Sequence, residues 1–173
     1  MNESSEVVNK TEGELVITRV FDAPRELVWR AWSEGERLAQ WWGPKGCEVK
    51  VEQLEFRPGG IFHYCMKLPD EGVMWGKFVY DEIVAPERLS FVDSFADENG
   101  NIIRAPFFDG GWPLEVSNLV SFSEQDGQTT MTLRVAPINA TEDELKLFAD
   151  SHGSLHQGYG GTMDQLEEYL AKG

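Results

Sequence analysis

Three histidines, two cysteines and a few serines are the side chains of this chain that could do covalent or metal chemistry. His152 and His156 stand four residues apart and would share one helix face, the spacing of a metal-ligand pair. No HExxH surrounds them, however, and Asp150 projects elsewhere on the helix. His63 falls in the outward set of its strand and reads as a surface residue. Ser121, Ser123 and Ser154 form no GxSxG elbow, neither cysteine has an assignable histidine and acid, and no glycine-rich phosphate loop follows a strand. The sequence therefore assigns no catalytic residue, no metal site and no cofactor.

Polar groups on inward faces point to recognition instead. An amide or hydroxyl facing a core must be hydrogen-bonded or carry a desolvation cost, which singles out Asn118, with Tyr64, Tyr80 and Tyr159 as further hydroxyls able to meet a bound molecule. Around them stand large apolar side chains. On one strand Phe62, Tyr64 and Met66 alternate with Ile61, His63 and Cys65, and the first set is the better core face. On the next, facing Lys77 and Asp81 inward would bury charge, so Met74, Phe78 and Tyr80 are expected inside. A plain four-residue loop at Pro69–Gly72 would invert that parity, so a bulge at Gly72 is expected. Phe91 and Phe95, then Leu114, Val116, Asn118, Val120 and Phe122, are the inward candidates of the two following strands.

These side chains need a scaffold. Leu15 to Phe21 is rich in β formers, and Pro24 then sits where a first helical turn tolerates proline. Leu27, Val28, Ala31 and Trp32 follow at three- and four-residue spacing. Ser33 with Glu36 has capping-box spacing and is expected to open a second short helix, which Gly43-Pro44 ends. Trp41 and Trp42 lie about 100° apart on a helix, so one indole is expected inward and the other over an edge.

From Cys47 to Ala136, β segments are punctuated by RPGG, PDEG, APE, DENGN and EQDGQ, which gives six strands, or seven with the first. Thr141 with Glu144 forms a capping box, after which Leu155, Tyr159, Met163, Leu166 and Leu170 mark one apolar helix face. Hairpins flanked by helices make this an α+β protein. The segment Pro106 to Pro113, with Phe107, Phe108 and Trp112 between glycines, is either a lid or a loop packed over a core edge.

A hairpin turning at Pro58-Gly59 would place Cys65 opposite Glu52 and Cys47 roughly 17 Å away along the ladder, beyond disulfide reach. Free, partly buried thiols are expected, and without CxxC spacing no structural zinc.

Composition fits one domain of 173 residues, 41% hydrophobic, with residues 14–173 folded and 1–13 a disordered polar tail. The formal charge of −15 disfavours nucleic acid and anionic membrane as partners. With neither a secretory leader nor an apolar run long enough to span a bilayer, a cytoplasmic location is expected.

Taken in order, VFDAPRELVWRAW, WWGPKG, EFRPGG, PDEG, IVAPERLSF and GYGGTMDQLEEYL resemble the family of the activator of the ninety-kilodalton heat-shock-protein ATPase, in its single-domain form within the START-like (SRPBCC) superfamily. The resemblance runs from about Leu15 to Leu170. It implies the helix-grip fold, in which a curved antiparallel sheet of about seven strands wraps the last helix and leaves a cavity between them. On that architecture the first expectation is a non-enzymatic binding module for a small, mostly apolar or aromatic molecule. Trp42, Phe62, Tyr64, Met66, Phe78 and Tyr80 would line the cavity with Phe91, Phe95, Val116 and Asn118 from the sheet. Tyr159 and Met163 would close it from the helix and Trp112 at its mouth. The family name implies a chaperone as an alternative partner, and the superfamily's aromatase/cyclases imply an enzyme as a third reading.

Overall fold

The computed structural model describes residues 14–43, 46–70, 72–105 and 110–172. The tail expected over 1–13 and the Phe107-Phe108 part of the lid candidate lie outside these residues. In chain order the elements are β1 (Leu15–Phe21), α1 (Arg25–Ser33), α2 (Gly35–Trp41), β2 (Glu48–Leu54), β3 (Ile61–Lys67), β4 (Val73–Val84), β5 (Arg88–Ala96), β6 (Glu115–Gln125), β7 (Gln128–Ile138), α3 (Glu142–Asp150) and α4 (His152–Ala171). The strands form one seven-stranded antiparallel sheet in the order β1-β7-β6-β5-β4-β3-β2. This is the helix-grip fold.

Local chemistry explains most boundaries. Gly59 sits at φ 82° in the turn between β2 and β3, a left-handed conformation that costs glycine little. Thr141 accepts from the Glu144 backbone N–H while the Glu144 carboxylate accepts from the Thr141 N–H, so the expected capping box opens α3. The other expected box does not form. Ser33 is still helical, Glu34 is extended, and the Glu34 N–H donates to Arg30 O to close α1, so the serine lies one residue too early to cap α2.

Both tryptophans of the WWGP run are buried, which corrects the expectation that one would cover an edge. Helix α2 stops at Trp41, and the extended conformation of Trp42 swings its indole inward beside its neighbour. Trp41 packs 4.8 Å from Trp32 and donates its indole N–H to Ala31 O at 2.9 Å, locking the two helices together.

The parity of β3 and β4 is as expected, with Phe62 opposite Phe78, Tyr64 opposite Gly76 and Met66 opposite Met74. No bulge produces it. Lys67 pairs with Val73, and the Leu68 N–H donates to Gly72 O across a five-residue loop. Cys65 lies opposite Lys50, not Glu52: the ladder starts one residue off the expected register, with Leu54 opposite Phe62, and a shift between Val51 and Gln53 adds a second. Cys47 and Cys65 are both free. Leu114 precedes β6 and is exposed rather than inward.

His63 is on the outer face but is not a surface residue, being only 6% exposed. It stacks on Trp75 at 5.2 Å, its Nε2 lies 3.0 Å from Asp97 O, and Gly100 covers its ring. Strand alternation tells which face a side chain takes, but not whether a distant turn folds over it.

On the concave side, Val28, Trp29, Ala31 and Trp32 of α1 and Met163, Leu166 and Leu170 of α4 are buried against the sheet. Arg19 of β1 holds α4 from outside through Asp164 and Glu167, while Gln165 donates to Trp41 O and Gly43 O and Thr162 donates to Gly43 O. These ties grip the second half of α4. Leu155 and Tyr159, on the same face of the first half, are only partly buried.

Candidate functional site

Hydrogen-bond register arranges the inward side chains as rows across the sheet. Met66 and Met74 form the outermost row, and Tyr64, Gly76 and Phe95 form the next. The third row runs Phe62, Phe78, Asp93, Val116, and the fourth runs Tyr80, Phe91, Asn118, Val135. The helices cover these rows unequally. Over the fourth row and the Phe62–Phe78 half of the third, the tryptophans of the helix pair and the gripped end of α4 make a packed core. Phe78 stacks on Phe91 at 4.0 Å, Trp42 meets Phe78 at 5.1 Å and Trp32 meets Phe91 at 6.3 Å.

Over the remaining rows the space is not filled, and a cavity of about 410 Å³ lies between the sheet, α3 and the first half of α4. The expected residues therefore divide in two. Trp42, Tyr64, Met66, Phe95, Val116 and Tyr159 line the cavity, with Trp112 at its edge against Phe148 of α3 at 5.6 Å. Phe62, Phe78, Tyr80, Phe91, Asn118 and Met163 are all nearly fully buried outside the lining. Two of the polar groups singled out in the sequence, Asn118 and Tyr80, are thus core groups. The Asn118 amide donates to Val116 O at 3.3 Å, while its Oδ1 and the Tyr80 hydroxyl are buried with no hydrogen-bond partner among the described residues.

Gly76 gives the cavity its shape. A Cβ there would fall 2.3 Å from both Cζ and Oη of Tyr64, so only glycine lets that ring lie across β4. Trp42 Nε1 faces the Tyr64 hydroxyl without closing a normal hydrogen bond.

Sequence reasoning passed over one lining residue with chemistry of its own. Asp93 shares the inward parity of Phe91 and Phe95 on β5 and borders the cavity, so a carboxylate alternating with two inward phenylalanines was the available signal. Desolvation by burial pushes its carboxyl up to about 7, opposed only by the Ser94 backbone N–H. It is partly buried and borders the cavity. The hydroxyls of Tyr64 and Tyr159 are also driven above the usual phenol range, first by burial and then by the charge of Asp93. The two tyrosines and the aspartate form one polar spot in an otherwise aromatic and aliphatic wall.

The histidines lie elsewhere. His152 stands edge-on to Phe148 at 5.4 Å, and His156 is exposed on α4. Among the described residues no group of three or more His, Cys, Asp or Glu could hold a metal ion. Among the same residues no helix is long and apolar enough to cross a membrane.

The model of the family described as activator of Hsp90 ATPase homolog 1-like protein matches residues 22–171. The chain belongs to that family. The helix-grip architecture recurs in similar solved structures, among them a Mycobacterium smegmatis protein that is 29% identical over 91% of this chain and 90% of that one, with a TM-score of 0.72. An Arthrobacter aurescens protein solved by NMR is 28% identical over 92% of this chain and 87% of that one, with a TM-score of 0.76. The AHSA1 protein of Silicibacter pomeroyi, 19% identical over 91% of this chain and 97% of that one with a TM-score of 0.66, shares the fold. No curated protein matches the chain significantly. The match covers the two tryptophan-bearing helices α1 and α2, strands β2 to β7, α3 and the whole of α4, and begins just after β1.

Proposed function

We propose that this AHSA1-like protein is a binding domain that takes up a small, mostly apolar or aromatic molecule between its sheet and α4, without chemical conversion. The observation that carries this reading is the cavity of about 410 Å³, a size typical of small-molecule sites, with apolar walls and a few converging polar groups. Ligand burial at roughly 25 cal/mol per Å² of apolar surface supplies affinity, and the Tyr64–Asp93–Tyr159 spot supplies orientation.

The test is fluorescence enhancement of N-phenyl-1-naphthylamine, a neutral apolar probe, with Gly158→Leu as its control. Gly158 borders the cavity on α4, and a Cβ there meets nothing within 4 Å. Leucine should stabilise the helix by about 0.5 to 1 kcal/mol while obstructing the site, so unfolding free energy rises as probe affinity falls. Absence of saturable binding to the unmodified protein, together with no small molecule retained by protein from its own host in native mass spectrometry, would sink the reading.

The family's description names an Hsp90 ATPase, and a chaperone contact is the competing outcome. It would use charged outer residues and weaken with salt, whereas uptake of a neutral probe is nearly salt-independent. Salt-sensitive stimulation of that ATPase, unchanged by Gly158→Leu, would replace the cavity reading.

A further inference from the structure

Among the described residues the cavity wall contains one carboxyl and several aromatic faces, and the groups around that carboxyl narrow what can bind. From β3 comes the Tyr64 hydroxyl, from β4 the bare backbone of Gly76, from β6 Val116 and from α4 Tyr159. Among the described residues no Lys, Arg or His lines this space, and no cation acts on Asp93. Lys77, the nearest lysine in the β4 sequence, is on the other face and donates to Gly100 O at 3.0 Å. Arg104, beyond the end of β5, is paired with Glu144.

We propose that the cavity receives a small organic amine, its protonated nitrogen held by the Asp93 carboxylate and the hydroxyls of Tyr64 and Tyr159 and its apolar body against Trp42, Phe95 and Trp112. This rests on the reading of the cavity as a ligand site and specifies its chemistry. An anion would meet the Asp93 charge at close range and the field of a chain with formal charge −15. A neutral apolar molecule would displace the water that still reaches Asp93 and leave the carboxylate unpaired. A monocation resolves both problems. Its own desolvation opposes binding, but the fold has already removed much of the water around the carboxylate, so that partner loses less on binding than an exposed one would. Aromatic faces on several sides add cation–π attraction that hydrated surroundings would weaken.

A ligand offering a carbonyl would instead use the protonated carboxyl of Asp93 as a donor, and pH separates the two cases. Amine affinity rises as pH passes through the Asp93 titration near 7 and levels off above it, because the ammonium favours the ionised carboxylate. Carbonyl affinity moves the other way. Tyr64 and Tyr159, the other titratable groups facing Asp93, stay protonated over this range because both are raised above the ordinary phenol value.

The experiment is calorimetric titration with tryptamine, tryptophol and indole-3-acetate, which share a ring and differ in the charge of the side chain, alongside N-phenyl-1-naphthylamine. At about pH 8, tryptamine should bind at least about tenfold more tightly than tryptophol, with indole-3-acetate weakest, and at about pH 5 the first gap should shrink to about threefold or less. Asp93→Asn should bring tryptamine and tryptophol to within about threefold of each other at about pH 8 and abolish the pH dependence of their ratio, and the pH profile of the unmodified protein gives the same answer if that variant does not fold. Equal affinity for tryptamine and tryptophol at the higher pH, with the naphthylamine bound, overturns the amine inference and leaves the apolar cavity standing. Failure of the naphthylamine and all three indoles to bind overturns both.

Discussion

Tyr64 lies across the backbone of Gly76 so closely that a methyl group on the glycine would overlap its phenol ring, at 2.3 Å from Cζ. The two residues are register partners on β3 and β4, and the missing side chain on one provides the bed for the other. Gly76→Ala should therefore displace the ring into the cavity or part the strands, at a cost of about 1 to 3 kcal/mol of stability. Adding Tyr64→Ala should recover part of that loss. A double-mutant cycle in urea, read as unfolding free energy, checks the coupling; additive effects would mean the ring does not lie where it is described.

Asp93 makes stability depend on pH in the direction opposite to most carboxylates. Its folded-state value of about 7 lies above its ordinary value of 3.8, so between these limits the folded protein binds more protons than the unfolded chain and stability falls as pH rises. The cost is absent below about pH 4 and complete above about pH 7. Asp93→Asn removes it, so the variant should gain on the order of 2 to 4 kcal/mol relative to the unmodified protein between about pH 4 and pH 8. The difference between the two proteins is the quantity to measure, because Asp97 and Glu144 are shifted downward and push stability the other way in both.

Met163 is fully buried and lies outside the cavity lining. Met163→Ala should cost about 2 to 5 kcal/mol in denaturation, the range for a filled core, and change naphthylamine affinity little. Leu155→Ala, on the same helix face about two turns earlier and on the partly buried wall, should reverse the balance, with the smaller stability loss and the larger loss of affinity.

Thr141→Ala should cost about 1 kcal/mol by removing the cap of α3. The same substitution loosens Glu144, which joins that cap to Arg104, and α3 carries Phe148 to the cavity wall. Thermal unfolding gives the stability loss, and weaker naphthylamine binding would report the slackened wall.

The fold was legible because its signals are local. The Thr141–Glu144 box, the Gly59 turn and the alternation of β3 and β4 each rest on a few neighbouring residues, and the charge of Lys77 and Asp81 settled the parity that loop length alone would have reversed. The cavity was legible only in part. Alternation states that Phe62, Tyr64, Phe91 and Phe95 share a face, but their depth along the strands decides whether a tryptophan of α1 or α2 covers them or empty space does. That depth depends on where helices far away in sequence come to rest. Asp93 was visible by parity and hidden by attention to aromatic and amide side chains, and the burial of His63 depends on a turn more than thirty residues away.

The outer face opposite the cavity carries its own layer. His63 stacks on Trp75, Asp97 O meets the His63 ring, and Lys77 reaches Gly100 O, all on β3, β4 and the turn after β5. These are the same strands whose inner side chains, from Tyr64 to Phe95, have no packed layer above them. The sheet there is splinted from behind, so the rigidity that other parts of the molecule draw from their interior is supplied at this end by its exterior. A hollow thus persists without the strands sagging into it, and damage to the His63–Trp75 splint should be felt on the far side of the sheet before it is felt in the core.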